Sequence, residues 1–334
     1  MLAVLMGLAP VTTFLVALVL LDSYKLVKLR IVALAVACGM VASGLAYAGN
    51  GVALGNGAID FTIYTRYVAP FFEELLKGLV IVGFIRTHRA GFLIDAAILG
   101  FGVGAGFAMV ENLVYLDQFP DAAMGTWIVR GFGTAIMHGG ATAIFAMAGL
   151  AMLDRGAGSG LRASAFIPGY VIAVVLHSTF NHFFLSPRLS TFGVAIVVPA
   201  LLFVVFERSE KAVGRWLGTG FDADSEMLEL INSGKLSDSP VGRYLHSLKD
   251  RFQGPVVADI LCYVRLHTEL ALRAKGLLMM RENGFDPPVD EATGEKFVEL
   301  RYLEASIGKT GLLAIHPMLH MTHKDLWQLN MLRK

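Results

Sequence analysis

This sequence contains very few cysteines and carries almost no net charge. Its 334 residues include two cysteines, Cys38 and Cys262, which lie far apart in the chain. This spacing excludes a disulfide framework and a CxxC metal site, so we interpret both as packing residues. The net charge is only +1. Such a balance gives no overall field that would attract nucleic acid or an acidic partner.

The local signatures of common hydrolases are absent as well. The sequence contains neither the HExxH motif of many zinc proteases nor the GxSxG motif of serine hydrolases. Any catalytic site therefore has to be assembled from residues that are distant in sequence.

Long apolar runs are what the sequence has in quantity. Hydrophobic residues make up 55% of the chain, and the mean hydropathy is +0.61, too apolar for an ordinary soluble domain. A bilayer core of ~30 Å is crossed at ~1.5 Å per helical residue. The pattern predicts an all-α, polytopic transmembrane helical bundle of about seven spans. The spans are 2–21, 31–49, 67–85, 91–116, 126–153, 164–185 and 191–206.

Basic residues concentrate on alternate loops, which predicts the orientation. The first span has no basic segment before it and no small-residue cleavage pattern, so we interpret it as an uncleaved anchor. Because basic loops stay in the cytoplasm, we expect the N-terminus outside and the C-terminus cytoplasmic. The residues concerned are Lys25, Lys28, Arg30, Arg86, Arg89, Arg155, Arg162, Arg208, Lys211 and Arg215.

Three charged side chains interrupt the third span. Each charge at the bilayer centre costs about 2.5–3.5 kcal/mol on insertion scales, so Glu73, Glu74 and Lys77 need a reason to be there. Their spacing places all three on roughly one helix face. They are either a self-neutralising ion pair that locks helix packing or part of a reactive centre.

Polar side chains recur in three later spans. At ~1.5 Å per residue, Glu73, Glu111, His138 and His177 all fall between the outer half and the midplane of the bilayer. Four spans that place polar groups at one depth predict a single, water-accessible pocket. The remaining members are Asn112, Asn181 and His182, with Phe107 and Tyr115 flanking Glu111 at intervals of four residues; we interpret His182 as structural.

Two carboxylates, a third acid and two imidazoles are the groups that hydrolysis needs. A buried glutamate can take a proton from water, and a histidine can polarise the carbonyl or protonate the leaving amine. Asn181 is a candidate donor to the oxyanion. In the alternative, Glu74, Glu111, His138 and His177 hold a zinc ion that acidifies its water. The residues by themselves leave both mechanisms open.

Two other classes of function use similar residues. Intramembrane Glu, Lys and His also build the ion pathway of a proton-coupled transporter, but the sequence shows no convincing internal repeat or matched pair of broken helices. A metal-dependent lipid amide hydrolase would need an aspartate in the set, and Asp95 lies near the opposite, cytoplasmic end of its span. A dinucleotide loop is also excluded: Gly102 and Gly106 lie within a span, where small residues allow close helix packing.

The order of these elements resembles the PrsW family of bacterial intramembrane proteases. The matching elements are Glu73-Glu74-x-x-Lys77, Phe107-x-x-x-Glu111-Asn112, His138 and His177-x-x-x-Asn181, within about 64–206. The family is distantly related to the CAAX-processing and bacteriocin-processing glutamate proteases. The resemblance implies hydrolysis of a peptide bond in or near the membrane span of a single-span protein, such as an anti-sigma factor. It also implies that Glu73 or Glu74 activates water, that Glu111, His138 and His177 complete the site, and that Asn181 assists the oxyanion. Both zinc-dependent and metal-free glutamate mechanisms are compatible with it.

Charged residues become frequent after the last span, which predicts a second domain. We expect a protease domain over 1–206, a linker over 207–221 and a small helical cytoplasmic domain over 222–334. Its predicted helices are 222–236, 255–282 and 295–313. Three late histidines, His316, His320 and His323, are interpreted as a surface cluster because no acid or cysteine accompanies them.

Overall fold

Helices and their connecting turns make up the described chain. The computed structural model describes residues 2–55, 59–155, 162–316, 318–319 and 322–333, and no strand occurs within these ranges. The chain divides into two compact units, Met1–Glu210 and Lys211–Lys334. The first unit is a bundle of apolar helices, which confirms the predicted all-α, polytopic membrane fold.

Six helical stretches in the described ranges are long and apolar enough to cross a membrane. They contain α1 (Leu2–Leu21), α2 (Leu29–Gly55), α5 (Leu93–Gln118), α6 (Met124–Ile128) continuing into α7 (Ala135–Asp154), α8 (Ile167–His182) and α9 (Pro187–Asn232). Short elements complete the unit: α3 (Phe61–Ile63), a first π segment (Tyr64–Val68), a second π segment (Val129–Thr134) between α6 and α7, and a 3₁₀ turn (Ala163–Phe166) before α8.

The remaining predicted span, 67–85, corresponds to α4, Ala69–Arg86. This helix is 18 residues long but includes Glu73, Glu74, Lys77 and Arg86, so its composition alone does not mark it as a membrane helix. Glu74 and Lys77 are nonetheless buried. The bundle thus encloses the charged face of α4 instead of exposing it to lipid.

Helix α5 forms the centre of the bundle, and its glycines allow close packing on two sides. A Cβ at Gly102 would touch Ala35 of α2, and one at Gly106 would overlap the carbonyl of Val36. A Cβ at Gly104 would overlap the His138 carbonyl of α7. The predicted packing role of Gly102 and Gly106 is confirmed, and the same glycine-rich helix allows α7 to approach closely.

The structure differs from the predicted domain boundaries at α9. Residues 207–221 were expected to be a linker, but α9 continues without interruption from Pro187 to Asn232. The rise in charge after residue 206 therefore does not mark the end of the helix. The helix ends before Gly234, whose φ of +73° is a left-handed conformation that glycine adopts readily.

The second unit is a small helical domain. After the end of α9 and a 3₁₀ turn (Lys235–Asp238) it contains α10 (Pro240–Ser247), a further 3₁₀ turn (Leu248–Asp250), α11 (Gly254–Glu282), α12 (Glu291–Ile315) and α13 (His323–Leu332). Its core includes Tyr263, Leu270, Leu278 and Trp327. Of the late histidines, His316 and His323 are half-buried, whereas His320 lies outside the described residues.

Candidate active site

The glutamate pair of α4 is divided between two environments. Glu74 is buried, and its Oε1 lies 2.5 Å from Nζ of Lys77, which has no exposed surface. Glu73 is on the neighbouring position with a side chain that is 12% exposed. No lysine or arginine in the described part of the chain forms an ion pair with Glu73. Only Glu74 is therefore neutralised by a cation.

Lys77 connects α4 to the histidine of α7. Its Nζ lies 2.9 Å from Nδ1 of His138 and 4.5 Å from the centre of the Phe107 ring. An ammonium group can only donate, so Nδ1 of a neutral His138 accepts. The other ring nitrogen, Nε2, then carries the hydrogen and lies 2.9 Å from Oε2 of Glu111. His138 is thus fixed from both sides.

The second oxygen of Glu111 is held by an arginine. Nη2 of Arg130 lies 3.0 Å from Oε1 of Glu111, and its Nε donates to Oδ1 of Asn112 at 2.8 Å. The guanidinium also lies 4.2 Å from the centre of the Tyr115 ring. Asn112 in turn donates to the carbonyl of Gly7 at 2.8 Å. These contacts connect α5 to the second π segment and to α1.

His177 of α8 lies between the two glutamates. Its Nδ1 is 2.8 Å from Oε1 of Glu74, and its Nε2 is 3.9 Å from Oε2 of Glu73. The rings of His138 and His177 meet nearly at right angles, with centres 4.6 Å apart. Because Glu74 is paired with Lys77, it acts as the acceptor for Nδ1–H. This leaves Nε2 of His177 with a lone pair directed toward Glu73.

One continuous network therefore joins the four polar spans. Predicted residues that are up to 104 positions apart in sequence lie in direct contact, as a shared pocket requires. In order of contact, the network runs through Asn112, Arg130, Glu111, His138, Lys77, Glu74, His177 and Glu73.

Comparison with known protein families identifies the fold that carries this network. The model of the PrsW family intramembrane metalloproteases matches residues 27–206, more than half of the 334-residue chain. The chain belongs to the PrsW family. It is therefore an enzyme, a multi-pass membrane peptidase whose substrates are membrane proteins. A search of curated proteins and a search of solved structures gave no match.

The family's description as metalloproteases can be tested on the donor atoms of this PrsW chain. Within the described ranges, Glu73, His138 and His177 are the one group of three whose ligand atoms lie within 4.8 Å of one another. Two imidazoles and a carboxylate are a common donor set of catalytic zinc. Nε2 of His177 and the Glu73 carboxylate fit this role directly. A metal would have to compete with Lys77 for Nδ1 of His138.

This ligand set differs from the one that the sequence predicts. His138 and His177 belong to both sets, but Glu74 and Glu111 are occupied by Lys77 and Arg130. Glu74 instead lies 2.8 Å from Nδ1 of His177, the position from which a carboxylate commonly supports a histidine that binds metal.

Asn181, the last residue of the family motifs, and its neighbour His182 lie beside the network. Nδ2 of Asn181 donates to the carbonyl of Thr65 in the first π segment at 2.9 Å. Nδ1 of His182 lies 2.6 Å from the carbonyl of Ser178, and its ring packs edge-on against Tyr67. His182 thus has the structural environment that the sequence predicts, while the amide of Asn181 is engaged with the backbone.

Arg130 is the member of the network that sequence reasoning missed. The sequence did contain a signal, because an arginine inside the predicted span 126–153 carries the same insertion cost as Lys77. Arg130 lies in the second π segment, immediately before the helix of His138. Such single-turn π-helical insertions are frequent at functional sites.

Proposed function

We propose that this PrsW protease hydrolyses a peptide bond near the outer half of the membrane, with Glu73 as the group that takes the proton from water. The observation that carries the proposal is the unequal pairing of the two glutamates. Glu74 is 2.5 Å from Lys77 and 2.8 Å from His177. Among the described residues Glu73 has no lysine or arginine partner, and it faces Nε2 of His177. Glu74 therefore positions His177, and Glu73 is available for chemistry.

The distance between Glu73 and His177 suits a bridging water. Two acceptors 3.9 Å apart are too far for a direct hydrogen bond but can each accept one hydrogen from the same water. When the water oxygen attacks the scissile carbonyl carbon, its proton passes to Glu73. The C–N bond then breaks, and a proton delivered through His177 or Glu73 converts the leaving nitrogen to an amine.

A bound zinc ion would acidify the attacking water and polarise the carbonyl. Glu73, His138 and His177 would hold it. Glu111 and Glu74 would orient the two imidazoles from behind. The same side chains serve the metal-free mechanism, so metal content has to be measured directly.

The decisive test compares the two glutamates. The purified chain is reconstituted in liposomes with a single-span reporter protein that is tagged on both sides of its membrane helix. We expect Glu73→Gln to lower the cleavage rate by at least about 100-fold, a typical loss for a general base, with little change in stability. Glu74→Gln should lower both, since it leaves Lys77 buried without a counter-ion. Asp117→Asn, an exposed acid on α5, is the matched control.

Cleavage by Glu73→Gln at the wild-type rate would contradict the assignment. Metal is tested on the same preparations by elemental analysis and by chelation. If zinc participates, we expect about one ion per chain in the wild type and a lower content in His177→Ala, independently of activity.

For the biological setting, we propose a bacterial inner membrane with the N-terminus outside, and a single-span anti-sigma factor as the type of substrate. The unit Lys211–Lys334 would then be a cytoplasmic domain with a role in regulation, oligomerisation or substrate recruitment. The basic residues of alternate loops support this orientation. A tag after Lys334 should be protected from protease added to intact spheroplasts; its digestion there would refute the topology.

A further inference from the structure

Pro70 creates a gap in the backbone hydrogen bonding just before the glutamate pair. The first π segment ends at Val68, and the N–H of Ala69 donates to the carbonyl of Tyr64, five residues back. The next N–H would donate to Thr65 in π-helical register or to Arg66 in α-helical register. Proline has no N–H, so neither carbonyl can be satisfied by residue 70. Inside a membrane an unsatisfied carbonyl is costly, because water is not available to replace the donor.

Helix α8 supplies donors to both of these carbonyls. Oγ of Ser178 donates to the carbonyl of Arg66 at 2.6 Å. Nδ2 of Asn181 donates to the carbonyl of Thr65 at 2.9 Å. Ser178 directly follows His177 in α8, and Asn181 lies one turn further along the same helix. One helix therefore carries the proposed catalytic imidazole and the donors to both carbonyls next to the missing N–H of Pro70.

We propose that Ser178 and Asn181 form a clamp that replaces the missing N–H of Pro70 and thereby fixes His177 relative to Glu73 and Glu74. Asn181 is then a positioning residue and not the oxyanion donor that the sequence predicts. The inference rests on the proposed function of Glu73 and His177 and adds how their geometry is maintained.

The short chain distances explain why the clamp would affect catalysis. Pro70 is three residues before Glu73, and Ser178 directly follows His177 in sequence. A third contact supports the same junction, because the hydroxyl of Tyr170 donates to the carbonyl of Phe71 at 2.8 Å. If α8 moved relative to this junction, the distances from His177 to Glu73 and Glu74 would change with it.

The test compares the effect of Asn181→Ala with and without the proline at residue 70. Asn181→Ala is made in the wild type and in a Pro70→Ala variant, whose residue 70 regains an N–H. Turnover and KM are measured with the tagged single-span reporter, and the thermal unfolding midpoint is measured on the same proteins. In the wild type we expect kcat to fall by about 10- to 100-fold with KM unchanged, the scale of a 1 Å misplacement. In the Pro70→Ala background the additional loss should be several-fold smaller.

Conservative and control variants separate positioning from general damage. Ser178→Thr keeps a hydroxyl and should retain turnover, whereas Ser178→Ala should lose it; this pair remains informative if Pro70→Ala does not fold. Thr12→Ala removes a hydroxyl that donates to a carbonyl four residues back in α1, and it should have no effect.

An equal loss from Asn181→Ala in both backgrounds would overturn the clamp and favour direct oxyanion donation. The unfolding midpoints test the clamp separately from the proposed catalytic function. Non-additive midpoints for Pro70→Ala and Asn181→Ala support the clamp even if the reporter is never cut, a result that would count against the proposed function alone. Additive midpoints refute the clamp.

Discussion

Replacing the buried lysine of α4 should destabilise the membrane unit more than replacing any exposed charge. Nζ of Lys77 lies 2.5 Å from Glu74 and 2.9 Å from His138, with no exposed surface. At an effective dielectric of about 20, the unit charges of Lys77 and Glu74, 2.5 Å apart, attract by about 6–7 kcal/mol before the cost of desolvation is subtracted. Lys77→Met removes one partner and leaves the Glu74 carboxylate buried without a counter-ion, with the hydrogen bond from His177 remaining. Loss of one partner from a buried pair typically costs about 3–5 kcal/mol.

The assay is reversible unfolding in mixed micelles at increasing denaturing-detergent fraction. We expect the free energy of unfolding of Lys77→Met to fall by about 3–5 kcal/mol. The double variant Lys77→Met/Glu74→Gln removes both charges and should recover most of that loss, since replacing a whole buried pair is often nearly neutral. It should still be inactive, because the ionised Glu74 no longer orients His177. Arg86→Met, an exposed cation on the same helix, is the control.

Two results would refute this reasoning. Wild-type stability of Lys77→Met would mean that Glu74 needs no buried counter-ion. A double variant that is no more stable than Lys77→Met would mean that packing, and not charge pairing, explains the lysine. An active double variant would further remove Glu74 from the proposed mechanism.

Two further predictions concern helix packing and pH. Gly106→Ala should destabilise the bundle by about 1–3 kcal/mol, the usual cost of overpacking, because its Cβ would overlap the Val36 carbonyl; Gly49→Ala, with nothing within 4 Å, should change little in the same unfolding assay. In the second unit, burial and then the ammonium of Lys275 lower the pKa of His267 from 6.5 to about 4. The folded unit therefore binds fewer protons than the unfolded one between these values, so its stability should fall by roughly 3 kcal/mol as the pH drops from 6.5 to 4. His267→Gln should flatten this dependence in thermal unfolding curves, and an unchanged slope would rule out His267 as its origin.

Much of the fold followed from the sequence because its physical causes are local. The hydrocarbon core requires long apolar helices, and each of the seven predicted spans overlaps a helix. The end of α9 could not be predicted in this way. The increase in charge after residue 206 indicates where the chain meets water, but helical hydrogen bonding is indifferent to that change and continues to Asn232.

The sequence predicted which residues of the candidate site lie together, but not how they pair. The sequence shows Glu73, Glu74, Glu111 and the histidines inside apolar spans, where each ionisable group costs free energy on insertion. Since no single helix can offset this cost, the residues are expected to meet. Arg130 has the same insertion cost, but its role was not predicted, because only the fold shows that it pairs with Glu111.

What the sequence by itself determined is that polar groups on four membrane helices have to share one pocket, because lipid cannot solvate them. Only the tertiary structure decided how they divide the work. Glu73 and Glu74 are neighbours of the same type, and only the positions of Lys77 and His177 make one of them a paired, orienting group and the other a candidate base. The hydrogen bond from Asn181 to Thr65 could not be predicted from the sequence either. The sequence shows that Pro70 lacks an N–H, but only the fold shows which helix supplies a donor to the nearby carbonyls.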